Sequence, residues 1–180
     1  MAIHRLNHAV LFVRDVERSV AFYSSVLGFT VAETMPGQAA FLRAPASTND
    51  HDLGLFQAGA QAASSSAGRG SVGLYHLAWE VDTLADLEQV QRDLAAAGAL
   101  GGASDHGTTK SLYGKDPDGL EFEIVWLIPA HLLTDDVTLQ TRPLDLAREM
   151  ARYGRDTRGG LGISVPLGVA LESPAQPATS

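Results

Sequence analysis

No cysteine occurs among the 180 residues, which excludes disulfides, thiolate metal sites and a cysteine nucleophile together. Long apolar runs are also missing. No stretch approaches the roughly 18 residues that span a bilayer, and the N-terminus has no basic region followed by an apolar one. Basic charge is scarce: 13 Lys and Arg stand against 21 Asp and Glu. The formal net charge of −8 repels phosphate backbones, so neither a nucleic-acid nor a membrane partner is expected. What is present is a 45% apolar chain, long enough for one well-buried core, and the expectation is a soluble cytoplasmic protein.

A repeat organises the chain. Asn7–Val13 reads as a strand and is followed by Val16, Val20, Tyr23 and Leu27 at helical spacing, with Asp15 as N-cap and Gly28 as stop. The design recurs at Tyr75–Val81, where Thr83 caps, Leu84, Leu87, Val90, Leu94 and Ala97 form the stripe, and Gly98 closes. His8 and His76 are 68 positions apart (76 − 8), and the two glycines 70 (98 − 28). β-rich runs follow each helix: Thr30–Thr34, Ala39–Arg43 and Asp52–Gln57, then Lys110–Tyr113 and Leu120–Leu127. The expected fold is α+β, with two βαβββ modules near 3–57 and 73–128 forming a cupped mixed sheet. A Gly/Ala/Ser-rich linker spans 58–72. Residues 129–180 form a C-terminal extension, with a short helix over Leu144–Tyr153 and an extended tail whose apolar run, Leu161 to Leu171, packs on its own domain or a second subunit.

Strand alternation sorts the polar residues. His8 shares a face with Val10 and Phe12, and His76 shares one with Ala78 and Glu80. In the last strand Phe122, Ile124 and Trp126 mark the core side, so Glu123 points away from it with Glu121 and Val125. A strand histidine alone is more often a hydrogen-bonded, half-buried side chain than a ligand. Matched placement in a repeat changes that balance. His8, His76 and Glu123 are therefore the candidate metal ligands, since two imidazoles and one carboxylate on one face suit a divalent first-row ion with open positions.

The paired modules, the two early histidines and the ending Asp116-Pro117-Asp118-Gly119-Leu120-Glu121-Phe122-Glu123 resemble the vicinal oxygen chelate superfamily over residues 3–128. That group includes glyoxalase I, fosfomycin-resistance transferases, bleomycin-binding proteins and extradiol dioxygenases. The run from His106 through Tyr113 and Pro117 to Glu123 is similar to the extradiol signature, with Ser104 as the one departure. His51-Asp52-Leu53-Gly54-Leu55 looks like the extradiol strand that carries an acid–base histidine, although the insertion at Ala58–Ser71 lengthens its interval to His76. The resemblance implies a single-domain extradiol catechol dioxygenase. It implies Fe(II), or alternatively Mn(II), held by His8, His76 and Glu123, with His51, His106 and Tyr113 as catalytic residues. The partners it implies are a catechol-type small molecule and O2, and the assembly a homodimer or higher homo-oligomer.

Rival readings share the cup. A lyase or isomerase of the superfamily calls for a fourth ligand late in the first module, where Gln57 is the available donor within Leu53–Gln57. A thiol transferase leaves His51, His106 and Tyr113 without a task. A metal-free ligand-sequestering protein normally lacks the triad, which this chain has.

Overall fold

Each module of the computed structural model, which describes residues 3, 5–68 and 70–160, is built by the same local signals. Strand β1 (Ala9–Val13) leads into helix α1 (Val16–Leu27). The Asp15 side chain accepts from the Arg18 N–H, and Gly28, at φ 73°, returns its N–H to the Tyr23 carbonyl. Strands β2 (Thr30–Met35), β3 (Ala39–Arg43) and β4 (Leu53–Gln57) complete the first module. The second module begins with β5 (Leu77–Glu80) and α2 (Leu84–Ala96), where Thr83 and Asp86 form a reciprocal capping box. Strands β6 (Leu100–Asp105), β7 (Thr109–Lys115) and β8 (Glu121–Leu127) follow. Beyond them lie a single 3₁₀ turn, Ala130–Leu132, the short strand β9 (Arg142–Pro143) and helix α3 (Leu146–Tyr153). The apolar run Leu161–Leu171 lies outside the described residues. No described helix is long and apolar enough to cross a membrane.

The first strand of each module pairs in parallel with its last, and the others are antiparallel. The result is two mixed sheets, ordered β1-β4-β3-β2 and β5-β8-β7-β6-β9. Among the described residues strands β1 and β5 are therefore both edges, and the cupped sheet expected from the sequence is present as two sheets. Two details differ from the sequence reading. The ladders start at Ala9 and Leu77, where β4 and β8 first offer partners, so His8 and His76 stand just before their strands and not within them. Strand β6 has a Leu-Gly-Gly-Ala-Ser-Asp sequence with no β-branched residue, and forms because β7 and β9 pair with it on both sides.

Each module has its own core, one around Leu42, Leu53 and Leu55, the other around Leu112, Phe122 and Trp126. Phe22, Leu27 and Trp79 pack against both. The turn Asp116–Gly119 completes the joint. Arg14, between β1 and α1, bonds Asp118 through its backbone N–H at 2.9 Å and its guanidinium at 2.8 Å. Tyr23, buried on α1, donates to Asp116 at 3.3 Å.

Packing in the second core leaves no room over Gly114. A Cβ there would stand 2.5 Å from the Phe122 ring, which is 2% exposed and flanked by Phe22. Gly114→Ala is expected to cost about 1–3 kcal/mol by overpacking. Urea unfolding should show a lower midpoint at unchanged slope, whereas an unchanged midpoint would mean the ring yields freely.

Candidate functional site

Register assembles the polar group of the second module. Glu123 on β8 faces Ala78 across the parallel ladder and Tyr113 across the antiparallel one. Ladder partners share a sheet face, so Tyr113 and Glu123 project together, and His76, two residues before Ala78, projects with them. The opposite face of β8 is the core, where Phe122, Ile124 and Trp126 are at most 2% exposed. His76 Nε2 lies 3.1 Å from Glu123 Oε2. The Tyr113 hydroxyl is 3.3 Å from Glu123 Oε1 and 2.7 Å from His106 Nε2. On its far side, His106 Nδ1 is 3.3 Å from both the Gln140 carbonyl and the Thr141 hydroxyl.

The first module presents a different set. The His8 and His51 rings lie with centroids 4.6 Å apart, tilted 42° to each other, and Phe41 meets His51 edge-on at 5.1 Å. His8 Nδ1 is paired with Asn7 at 2.7 Å and His51 Nδ1 with Asp50 at 3.1 Å. The module ladders can be superposed by register. His8 precedes Val10, which faces Gly54, which in turn faces Phe41; His76 precedes Ala78, which faces Glu123, which faces Tyr113. Gly54 therefore stands where the second module has Glu123, and Phe41 where it has Tyr113. Val10 and Phe41 close over Gly54, at 3.4 and 3.6 Å from where a Cβ would be. Gln57, the donor considered for a fourth ligand, is engaged elsewhere. Its side chain accepts from the Val16 N–H at 2.9 Å and donates to the Arg14 carbonyl at 2.7 Å, fixing the turn into α1.

The structure thus brings His76, Glu123, Tyr113 and His106 into one group and His8 and His51 into another. Among the described residues, no three His, Asp or Glu side chains are close enough to hold a metal. His76 and Glu123 suit a divalent ion by their donor chemistry, an imidazole nitrogen and a carboxylate oxygen turned toward each other on an open face. Nδ1 of His76 is buried without a hydrogen-bond partner, so Glu123 makes the polar contact to that ring, which also meets the Tyr75 ring at 4.9 Å and the Tyr113 ring at 6.0 Å. Sequence reasoning missed Gln140 and Thr141, which sit 34 and 35 positions beyond His106 in a segment with no motif.

Comparison with known proteins bears on the family and the fold. Residues 5–124 match the family model described as "Glyoxalase/Bleomycin resistance protein/Dioxygenase superfamily". The chain belongs to that superfamily. Over 94 residues it is 30% identical to metapyrocatechase 2 of Cupriavidus necator, covering 52% of this chain and 26% of that protein. It therefore spans about a quarter of the length of this relative. The superfamily fold is shared with a glyoxylase/bleomycin resistance protein/dioxygenase domain from Frankia sp. EAN1pec, at TM-score 0.56 and 21% identity over 72% of this chain and 96% of that one. A lactoylglutathione lyase from Agrobacterium tumefaciens gives TM-score 0.52 at 22% identity, over 69% and 95% of the two chains. A fosfomycin resistance protein from Listeria monocytogenes gives 0.52 at 16%, over 69% and 93%.

Burial pushes the Tyr113 hydroxyl up to about 12, and the neighbouring Glu123 carboxylate adds to the shift. The fold favours the neutral phenol, so the stability linked to it is complete below the ordinary value of 10.0 and is lost as pH rises toward 12. Phenolate absorbance present in the native chain and missing in Tyr113→Phe is expected only as pH nears 12. A difference already developed near 10 would contradict this environment.

Proposed function

We propose that the chain is an extradiol ring-cleaving dioxygenase, which opens a catechol-type substrate next to its diol and places both atoms of O2 in the product. The observation that carries this reading is the file His106–Tyr113–Glu123 beside His76, combined with glycine at the first-module position that matches Glu123. A site with one carboxylate ligand and a hydrogen-bonding His–Tyr pair suits a chelating diol. The partial match to a relative named for pyrocatechol supports the same substrate class. The lyase or isomerase alternative is disfavoured by the engagement of Gln57 within the fold.

His8, His76 and Glu123 would hold iron(II), or manganese(II) as the alternative ion. Once bound, the metal supplies Lewis acidity toward the diol and the redox chemistry that dioxygen requires. The chain's own side chains handle position and protons. His51 takes a hydroxyl proton of the substrate at Nε2, while Asp50 holds its Nδ1. Tyr113 and His106 orient the substrate oxygens and hold a proton between hydroxyl and imidazole. In this reading residues 1–128 form the domain that carries the site, and 129–180 are a C-terminal extension.

The third ligand comes from a second copy of the chain. His8 stands by the sheet of the first module, His76 and Glu123 by that of the second, and among the described residues the β1 and β5 edges are both unpaired. Val10 and Phe12, on the face that carries His8, are 52% and 77% exposed. A twofold dimer that brings the two kinds of face together would complete two equivalent sites.

Oxygen uptake by anaerobically iron(II)-loaded protein, given a panel of catechols, tests the reaction. Stoichiometric consumption with a yellow product is expected, and tight metal binding without uptake across the panel would overturn it. His51→Gln or His106→Gln should retain metal and lower kcat by ~10²–10⁴-fold. Subunit mixing tests the shared site. His8→Ala and Glu123→Ala should each be inactive alone, yet recover about a quarter of the activity after dissociation and random re-pairing. A mixture that stays inactive while mixed dimers form would place all three ligands in one chain.

A further inference from the structure

The turn between β6 and β7, which carries His106, is held from three sides by the segment after β8. The backbone makes the first hold. β9 pairs with the end of β6, with Asp105 opposite Arg142 and Ser104 opposite Pro143, and the Gln140 N–H points to the His106 carbonyl at 3.4 Å. Packing makes the second. Gly107 is at φ 83°, and a Cβ there would stand 2.0 Å from the Thr138 carbonyl oxygen, so the two backbones touch.

A buried charge makes the third. Lys110, 2% exposed, hydrogen-bonds the Asp105 carboxylate on the turn and the Gly107 carbonyl at 3.1 Å, and is ion-paired with Glu149 of α3 at 3.0 Å. Its ammonium also lies 5.7 Å from the centre of the Tyr153 ring. Asp105 accepts in addition from the Gly107 N–H at 2.8 Å and from the Gln140 amide at 3.3 Å. Such a cluster contributes little net stability, because desolvation offsets the attraction, but losing one partner leaves an uncompensated buried charge. It therefore acts as a lock between the turn and α3. None of Asp136–Tyr153 falls within the residues matched by the family model.

We propose that the segment Asp136–Tyr153 is a positioning arm for His106, holding its ring so that the proton sits on Nδ1 and Nε2 faces Tyr113 as an acceptor. The argument is one of hydrogen-bond polarity. A carbonyl oxygen only accepts, so the Gln140 carbonyl 3.3 Å from Nδ1 calls for a proton there, and the Thr141 hydroxyl at the same distance accepts or adapts. With Nδ1 protonated, Nε2 of the neutral ring has a lone pair, and the Tyr113 hydroxyl 2.7 Å away donates to it. Tyrosine has one proton to give. Directed to His106, it is withdrawn from Glu123, whose oxygen is the more distant at 3.3 Å. The arm thereby leaves the Glu123 carboxylate free for other partners.

The inference deepens the proposed function, since it gives His106 its orientation in that reaction, and its test uses the full chain without metal or substrate. Long-range ¹H–¹⁵N spectra of the histidine rings report the tautomer, with His106 assigned by the signal missing from His106→Gln. The expected native result is the Nδ1–H form. Thr141→Val removes the exposed hydroxyl, and Glu149→Gln removes one carboxylate of the lock at nearly constant shape. Thr141→Val should lower the ratio of Nδ1–H to Nε2–H by roughly two- to tenfold, the span that one lost neutral hydrogen bond represents, and Glu149→Gln should lower it in the same direction by loosening the turn. Thr141→Ser should restore it. A native Nε2–H tautomer, or a ratio unmoved in either variant, would overturn the proposal. Failure of oxygen uptake with these spectra as expected would remove the reaction and leave the arm, and the converse result would leave the reaction without the arm.

Discussion

Parallel pairing of β5 with β8 is the constraint on which the candidate site depends. It sets residues 47 positions apart, His76 and Glu123, on one face at 3.1 Å, although nothing local in the sequence joins them. The same ladder commits Phe122, Ile124 and Trp126 to the core, and a slip of one residue would exchange the two sets. Burying that aromatic face and presenting that carboxylate are therefore a single structural decision. The antiparallel β7–β8 ladder then adds Tyr113 opposite Glu123 with no further freedom.

The first module obeys the same pairing with different residues, and the difference has chemical content. Val10, Gly54 and Phe41 occupy the register positions of Ala78, Glu123 and Tyr113. One half of the duplicated architecture presents a carboxylate with a phenol, and the other presents an apolar floor with His8 and His51 at its rim. The duplicated pairing thus yields one face with polar donors and one with apolar contact area.

Much of the architecture was legible because periodicity and capping are local. The spacing of Val16, Val20, Tyr23 and Leu27, the caps Asp15 and Thr83 and the stop at Gly28 all appear where the sequence places them. The alternation in β8 told which way Glu123 points. Strand β6 was not legible, because Gly101 and Gly102 carry no strand preference and their neighbours impose the conformation. The separation of the two sheets was equally hidden. Alternation assigns faces within one sheet and says nothing about how two sheets are set against each other. The contacts of Gln140 and Thr141 with His106 arise from tertiary docking of a segment that has no periodicity of its own.

The joint between the modules has a kinetic consequence. Each core is assembled mostly from its own module, while Arg14 and Asp118, 104 positions apart, meet only when both are present. During synthesis the first module is complete well before Asp118 is made, and until then Phe22 and Leu27 lack part of their final cover. Contacts between such distant residues form late, after the loop-closure entropy of the intervening chain has been overcome. Until the second module is made, the Phe22 side of α1 therefore lacks its partner surface, and that interval is where aggregation or chaperone engagement would act.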